Sequence, residues 1–375
     1  MFQKAKPVLK KVIGENPESI SSLSFAFLFK SIFAALPPPE PLSVVDHTPE
    51  EVRTLFNCCF LSKMVYVAPS EREMPDFLSN IIEESQESSL YLIPYFIVNS
   101  DKLNRIFLTC RGSYCFNDFI VDFNAGSMEF YGGQVHQGVF LTAQNLYHRI
   151  KPLLMKLSED YRNQADNKRR PITITGHSLG AGVAATLCEM FYYDAPDLDV
   201  NCVIFAPCAS FCKKLWQESL PRIRSYVLDG DFVPFLSFHN ATELPREVIP
   251  EIMKKYLDSA IKKRMGMRHY NPPMVPIDSN PFKQPPPSID MILNDDIDSY
   301  LKPIPLYPPG DCFLVALQDP LTGTIHLKKV KDCDYFGHFI NDLNEFRHMM
   351  GIYREWIEKY VDDYFTLHSE YQKFL

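Results

Sequence analysis

No apolar stretch in these 375 residues runs unbroken for the roughly 18–20 positions that a membrane-crossing helix needs. The nearest approach is Ile20 to Leu36, with Phe25, Phe27, Leu28, Phe29, Ile32 and Phe33. Lys30 and several serines interrupt it, and Pro37-Pro38-Pro39 stops it. It also lacks the clean apolar core and small-residue cleavage site of a secretory signal. No paired C-x-x-C occurs among the 10 cysteines, which excludes the usual zinc pattern. Cys110, Cys202 and Cys312 fall in apolar, strand-like runs, where cysteine packs as a small hydrophobe. These thiols read as reduced, which places the protein in the cytoplasm rather than among disulfide scaffolds. Positive charge is not in excess: the formal net charge is -8, and no basic stripe is interleaved with aromatics. Nucleic acid is therefore excluded as the main partner. No internal repeat is visible.

What is present is a soluble globular balance, 46% hydrophobic and 22% charged. Residues 1–45 read as an N-terminal helical extension closed by prolines. Lys4, Lys6, Lys10 and Lys11 precede its aromatic run, the pattern of an interfacial membrane anchor and equally of a helix packed on its own domain. Thr48-Pro49-Glu50-Glu51 marks a helix start, and the helix continues through Met64. A second helix is expected over Met74 to Glu84. Tyr91 to Val98 and Arg105 to Cys110 read as a hairpin across Asn99-Ser100-Asp101. Asn117 to Phe123 reads as a short helix and Gly126 to Gly133 as a loop. Gly138 to Tyr161 has helical spacing on one face. Val200 to Phe205 and Ser225 to Leu228 are buried-type strands. Cys312 to Gln318 and Thr324 to Lys329 form a strand pair, and a helix follows from about Asn341. Strands alternating with helices predict a mostly parallel sheet covered on both faces.

One stretch organises the rest. The β-branched run Ile172-Thr173-Ile174-Thr175 leads into Gly176-His177-Ser178-Leu179-Gly180, and a helical pattern follows from Val183 to Phe191. Strand, G-x-S-x-G and helix in that order are the context of a nucleophile elbow. Ser178 would stand at the tip of a strained turn. Gly176 and Gly180 are expected where a Cβ would strike the neighbouring strand and helix. A serine hydroxyl needs a base, and the base needs an orienting acid. In the α/β-hydrolase order both follow the serine. Asp229 and Asp231 both lie just past a strand end; Asp231 is favoured by the rigid Phe232-Val233-Pro234 that follows it. Among the later histidines, His326 lies inside a strand and His239 too near the acid's own loop, which leaves His338 and His348. The oxyanion would be met by the N–H of Leu179, at a helix N-terminus, and by the loop at Arg111-Gly112-Ser113, where Ser113 could add its hydroxyl.

Several separate segments resemble the class 3 lipases, and within them the sn-1-specific diacylglycerol lipases. Leu108 to Ser113 resembles the family's strand and R-G-[ST] oxyanion loop. Asp118-Phe119 through Asp122 is similar to its D-W-x-x-D helix, with Phe in place of Trp. Val135-His136-Gln137-Gly138 resembles its V-H-x-G segment. Gly176 to Gly180 is similar to its G-H-S-L-G elbow, Phe205 to Cys208 to its strand end, and Gly230 to Ser237 to its D-x-V-P-x-L-S acid loop. Leu306-Tyr307-Pro308-Pro309-Gly310 resembles the entry to its last strands. Arg347-His348 through Tyr353 resembles its histidine segment, with Arg347 where Asp is usual. The resemblance spans about residues 48–360 and favours His348 over His338. It implies an α/β-hydrolase fold and a serine lipase that cleaves an acyl ester of a glycerolipid through an acyl-enzyme. The implied catalytic residues are Ser178, Asp231 and His348, with Ser113 and Leu179 at the oxyanion and Gly176, His177 and Gly180 in the elbow. No cofactor and no metal are implied. A non-catalytic lipid-binding or interaction scaffold, and a serine hydrolase of phospholipids or thioesters, are the competing readings.

The expected organisation is the extension at 1–45 followed by one hydrolase domain over 46–375. Within that domain, residues 240–305 stand out as a proline-rich cap or regulatory insert. Glu251 to Met265 carries apolar residues at helical spacing beside Lys254, Lys255, Lys262, Lys263 and Arg264. A basic amphipathic helix of this kind suits a lipid interface. A peripheral membrane surface is therefore an expected partner alongside the glycerolipid.

Overall fold

The computed structural model describes residues 42–89, 91–112, 126–162, 168–220, 222–237, 239–240, 304–319, 323–340 and 343–368. Most of the expected cap at 240–305, most of the N-terminal extension and the short helix at 117–123 lie outside them.

The described strands are β1 (Ser43–Val45), β2 (Ile81–Ser85), β3 (Tyr95–Ser100), β4 (Arg105–Cys110), β5 (Ser127–Phe130), β6 (Gly133–His136), β7 (Ile172–His177), β8 (Val200–Phe205), β9 (Ile223–Leu228), β10 (Asp311–Asp319) and β11 (Thr324–Lys329). Nine of them form one sheet, in the order β1-β11-β10-β9-β8-β7-β4-β3-β2, and β5 and β6 pair separately. β4, β7, β8, β9 and β10 run parallel. Antiparallel strands complete both edges. The fold is thus an α/β fold on a mixed, mostly parallel sheet.

Parallel strands need crossovers, and those among the described residues are α2 (Gln137–Asp160), α3 (Leu179–Asp194) and α4 (Lys213–Ser219). Their apolar residues join Ile97, Ile106, Leu108, Ile172, Ile174, Cys202 and Ile204 in one buried layer. The opposite face is covered by α1 (Pro49–Met64) and α5 (Met350–Leu367), which join Phe96, Val98, Phe107, Val203, Phe205 and Phe313 in a second layer. The strand period of two sends alternate residues to the two layers. Both faces are covered, so the central strands are buried throughout, as β7 is at every residue. In α1, Leu55 and Leu61 are fully buried, as is Ile357 in α5. Each contributes about 1.5–3 kcal/mol relative to exposure.

Thr48 caps α1. Its hydroxyl accepts from the Glu51 N–H at 3.3 Å, and the Glu51 carboxylate accepts from the Thr48 N–H at 2.7 Å. This is a capping box, with Pro49 at the first position.

The structure corrects the reading in four places. Ser43–Val45 is not extension but an edge strand paired with β11. The helix expected over Met74 to Glu84 is a 3-10 turn at Asp76–Leu78 followed by β2. Pro75 starts the turn, and the β-branched Ile81-Ile82 enters a ladder with β3. The loop expected over Gly126 to Gly133 is the β5–β6 hairpin. Its two turn residues, Tyr131 and Gly132, both take positive φ, at 42° and 74°. Tyr131 tolerates this because its hydroxyl reaches Asp194 at 2.6 Å and its ring stacks on Tyr193 at 4.1 Å. The last helix starts at Met350 rather than near Asn341, and Glu345–His348 is a 3-10 turn before it.

Candidate active site

β7 lies between β4 and β8, and α3 starts immediately after Ser178. Ser178 has φ 60° and ψ -127°, a conformation non-glycine residues rarely adopt. Such strain costs on the order of 1–3 kcal/mol and persists only where the surroundings over-determine it. Here they do. The Ser178 N–H donates to the Phe205 carbonyl at 3.0 Å, and the Ser178 carbonyl accepts from Ala181 and Gly182 at 3.0 and 3.2 Å. A Cβ on Gly176 would lie 2.6 Å from the Gly180 oxygen, and one on Gly180 would lie 2.5 Å from the Cys110 oxygen. Backbone meets backbone on both sides of the serine, so only glycine fits.

Two distant segments meet this turn. His348 Nε2 lies 2.9 Å from Ser178 Oγ, and His348 Nδ1 lies 3.1 Å from Asp231 Oδ2. Asp231 is fully buried at the end of β9. Its Oδ1 accepts from the Val233 N–H at 3.0 Å, and its Oδ2 accepts from the Tyr353 hydroxyl at 2.6 Å. Burial, then the Asp231 charge, hold the Tyr353 phenol well above its ordinary pKa, so it stays a donor. The acid and base segments are also joined along the backbone. Asn344 N–H donates to the Gly230 carbonyl at 2.7 Å, and the Arg347 guanidinium donates to the Asp229 carbonyl. His177 lies beside the base, with ring centroids 4.7 Å apart. Burial holds its imidazole well below the ordinary histidine range, and the His348 imidazole pushes the same way. His177 is neutral at physiological pH.

Leu179 opens α3, so its N–H has no intrahelical acceptor and points out of the helix beside Ser178. Gly112 packs directly against the turn: a Cβ there would lie 2.6 Å from the His177 oxygen and 3.1 Å from Ser178 Cβ. Ser113, expected next to it at the oxyanion, lies outside the described residues.

Of the alternatives left open by the sequence, Asp229 uses its backbone rather than its carboxylate toward the base segment, and His338 is exposed on another loop. His326 sits within β11, opposite Ala316. No disulfide occurs among the described residues. Burial pushes the Cys58 thiol up to about 12 and raises Cys59, Cys110, Cys188 and Cys202 as well, so these are packing groups and not nucleophiles. Asp332, Cys333 and Asp334 bring potential metal-ligand atoms within 4.8 Å of one another. The Lys213 ammonium already sits on both carboxylates, at 3.0 and 2.7 Å. Among the described residues, no helix is long and apolar enough to cross a membrane.

Sequence reasoning assigns no role to Tyr66 or to Tyr353. Tyr353 carried a signal, being part of the histidine segment. Tyr66 carried none beyond lying just past α1.

Residues 107–241 match the family described as Lipase (class 3). Diacylglycerol lipase-beta of Mus musculus is 25% identical over 179 residues, which cover 45% of this chain and 26% of that protein. The chain therefore spans about a quarter of the length of this relative. The fold is similar to that of the Rhizomucor miehei lipase in its propeptide complex, with a TM-score of 0.54 and 14% identity over 85% of this chain and 87% of that one. It is also similar to a triacylglycerol lipase whose catalytic centre is described as a serine protease triad, with a TM-score of 0.51 and 14% identity over 78% and 88% of the two chains. The segment from residue 107 to residue 241 belongs to the class 3 lipase family, carried on the α/β fold of the fungal lipases.

Proposed function

We propose that this protein is a serine lipase of the α/β-hydrolase fold, hydrolysing an acyl ester of a glycerolipid, diacylglycerol or a close relative, through an acyl-enzyme. The observation that carries this is the chain of contacts from Ser178 Oγ through His348 to Asp231, at 2.9 and 3.1 Å, beneath a strained elbow. In this reading His348 Nε2 takes the Ser178 proton as Oγ attacks the ester carbonyl carbon. The carbonyl oxygen becomes an oxyanion facing the Leu179 N–H, with Ser113 as a second donor. The tetrahedral species collapses, and His348 returns the proton to the departing glyceride oxygen. Water then gives a proton to His348 and attacks the acyl carbonyl; the fatty acid leaves and Ser178 regains its proton. Asp231 holds the imidazole and stabilises its charged form, and Tyr353 and the Val233 N–H hold Asp231.

The diacylglycerol preference is supported by the partial match to diacylglycerol lipase-beta. A peripheral, cytoplasmic membrane position is supported by Met349, which is 58% exposed next to the base, and by the basic residues at Lys4 to Lys11 and at Lys254 to Arg264. Residues 240–305 would then cap the site.

The deciding experiment labels the purified protein with a fluorophosphonate and assays hydrolysis of diacylglycerol in mixed micelles. Wild type is expected to label and to hydrolyse; Ser178→Ala is expected to do neither while melting at the same temperature. Equal labelling and hydrolysis in Ser178→Ala places the chemistry elsewhere. A folded wild type that neither labels nor hydrolyses is a scaffold.

A further inference from the structure

We propose that Tyr66 and His177 are positioning residues that tie the loop at Gly112, the nucleophile turn and the backbone of His348 into one hydrogen-bonded unit. The inference rests on reading Ser178, His348 and Asp231 as the catalytic groups. It adds what sets the base's backbone.

The unit has three links. The Gly112 N–H donates to Tyr66 Oη at 3.1 Å, Tyr66 Oη lies 3.1 Å from His177 Nδ1, and His177 Nε2 lies 2.8 Å from the His348 carbonyl oxygen. The two ends fix every direction between them. A backbone carbonyl only accepts, so His177 Nε2 carries the proton. A neutral imidazole has one N–H, so Nδ1 is bare and accepts from the Tyr66 hydroxyl. An amide only donates, so Tyr66 accepts from Gly112. Burial and the adjacent His348 keep His177 neutral, which is the state this polarity requires.

The arrangement answers a need of the base. His348 sits on a short 3-10 turn, and α5 begins only at Met350. Its side chain is held by Ser178 and Asp231, and its carbonyl is held by His177, the residue directly before the nucleophile. The relay therefore refers the base to the same turn that carries Ser178. It also seats Gly112 against that turn, where a Cβ would lie 2.7 Å from Tyr66 Oη. When His348 takes the serine proton, the ring beside it carries no charge to oppose the new imidazolium.

The test uses Tyr66→Phe, His177→Gln and the double variant in the full chain. Active sites are counted by fluorophosphonate titration, and kcat and KM are then measured on a soluble short-chain ester. Each single variant is expected to lose about tenfold in kcat per titrated site, the rate equivalent of one hydrogen bond. KM is expected to stay within about twofold, because no substrate contact is removed. The double variant is expected to be no worse than the poorer single one, because both cut the same relay. Fewer titrated sites with wild-type kcat per site would mean that the two residues serve folding alone, and overturn the proposal. Losses that multiply in the double variant would overturn it also. If His177→Gln does not fold, the kcat per site of Tyr66→Phe decides alone. Failure of the underlying reading looks different: wild type itself is not titrated, or Ser178→Ala keeps its activity.

Discussion

Ser178 and His348, the proposed nucleophile and base, are held in opposite ways. Ser178 is placed by its own neighbours in the chain: a buried strand before it, a helix after it, and two glycines that let backbone touch backbone. His348 is placed by groups far from it in sequence. It is 170 residues from Ser178 and 117 from Asp231, on a turn too short to position anything by itself. Steric exclusion fixes the first group, and directional hydrogen bonds between distant segments fix the second. Close packing tolerates almost no change in shape, and hydrogen bonds almost no change in donor or protonation state. The two halves of the site should therefore fail differently.

The largest effect is expected on the base side with the fold intact. Asp231→Asn keeps the size of the acid but offers the wrong partner to His348 Nδ1. In a triad this favours the wrong tautomer and lowers kcat by about 10⁴-fold. The melting temperature should move far less than the activity, and a variant within tenfold of wild type in a steady-state assay would remove Asp231 from the mechanism. On the elbow side the ordering reverses. Gly180→Ala places a Cβ 2.5 Å from the Cys110 oxygen and 2.7 Å from the Arg111 carbonyl carbon, and neither is the end of a flexible side chain. The cost is about 1–3 kcal/mol of overpacking, read as a lowered urea midpoint together with lost activity. Unchanged stability would show that the elbow has slack.

The smallest effect separates the two modes by pH. His177 has a folded pKa below the ordinary value of about 6.5. The unfolded chain therefore takes up this proton first as the pH falls. The stability associated with neutral His177 is complete above about pH 6.5 and declines below it. Urea midpoints at about pH 7.5 and about pH 5.5 should differ more for wild type than for His177→Gln. An equal difference in both proteins would mean that the His177 charge state does not enter stability.

The same contrast explains what the sequence disclosed. β7, the elbow and α3 are local, so β-branched residues, glycine spacing and small residues announced them together. The parallel core announced itself through apolar runs such as Cys202 to Phe205. The acid and base were narrowed but not chosen by spacing: Asp229 and Asp231 are two residues apart, and His338 and His348 both follow the last strand. Resemblance to a family separated the histidines, and His348 is the one that lies beside Ser178 and Asp231. Tyr66 was invisible because nothing in its neighbourhood shows that a hydroxyl at the end of α1 meets the elbow. The β5–β6 hairpin was missed because Tyr131, not Asn or Gly, opens its turn, and the contacts that stabilise it come from α3. β2 was missed because only Ile81 and Ile82 favour a strand, and Glu83, Glu84 and Ser85 extend it only through the ladder with β3.

β1 pairs with β11, and α1 packs against α5. On a ribosome these partners are made far apart in time. When Ser178 emerges, β1 has no ladder to join and α1 no helix to cover it. Domains fold as units during synthesis once their contacts exist, and here those contacts arrive with the last helix. His348 leaves the ribosome just ahead of that helix. In the proposed mechanism, a nascent chain thus carries Ser178 without His348 until the second layer closes.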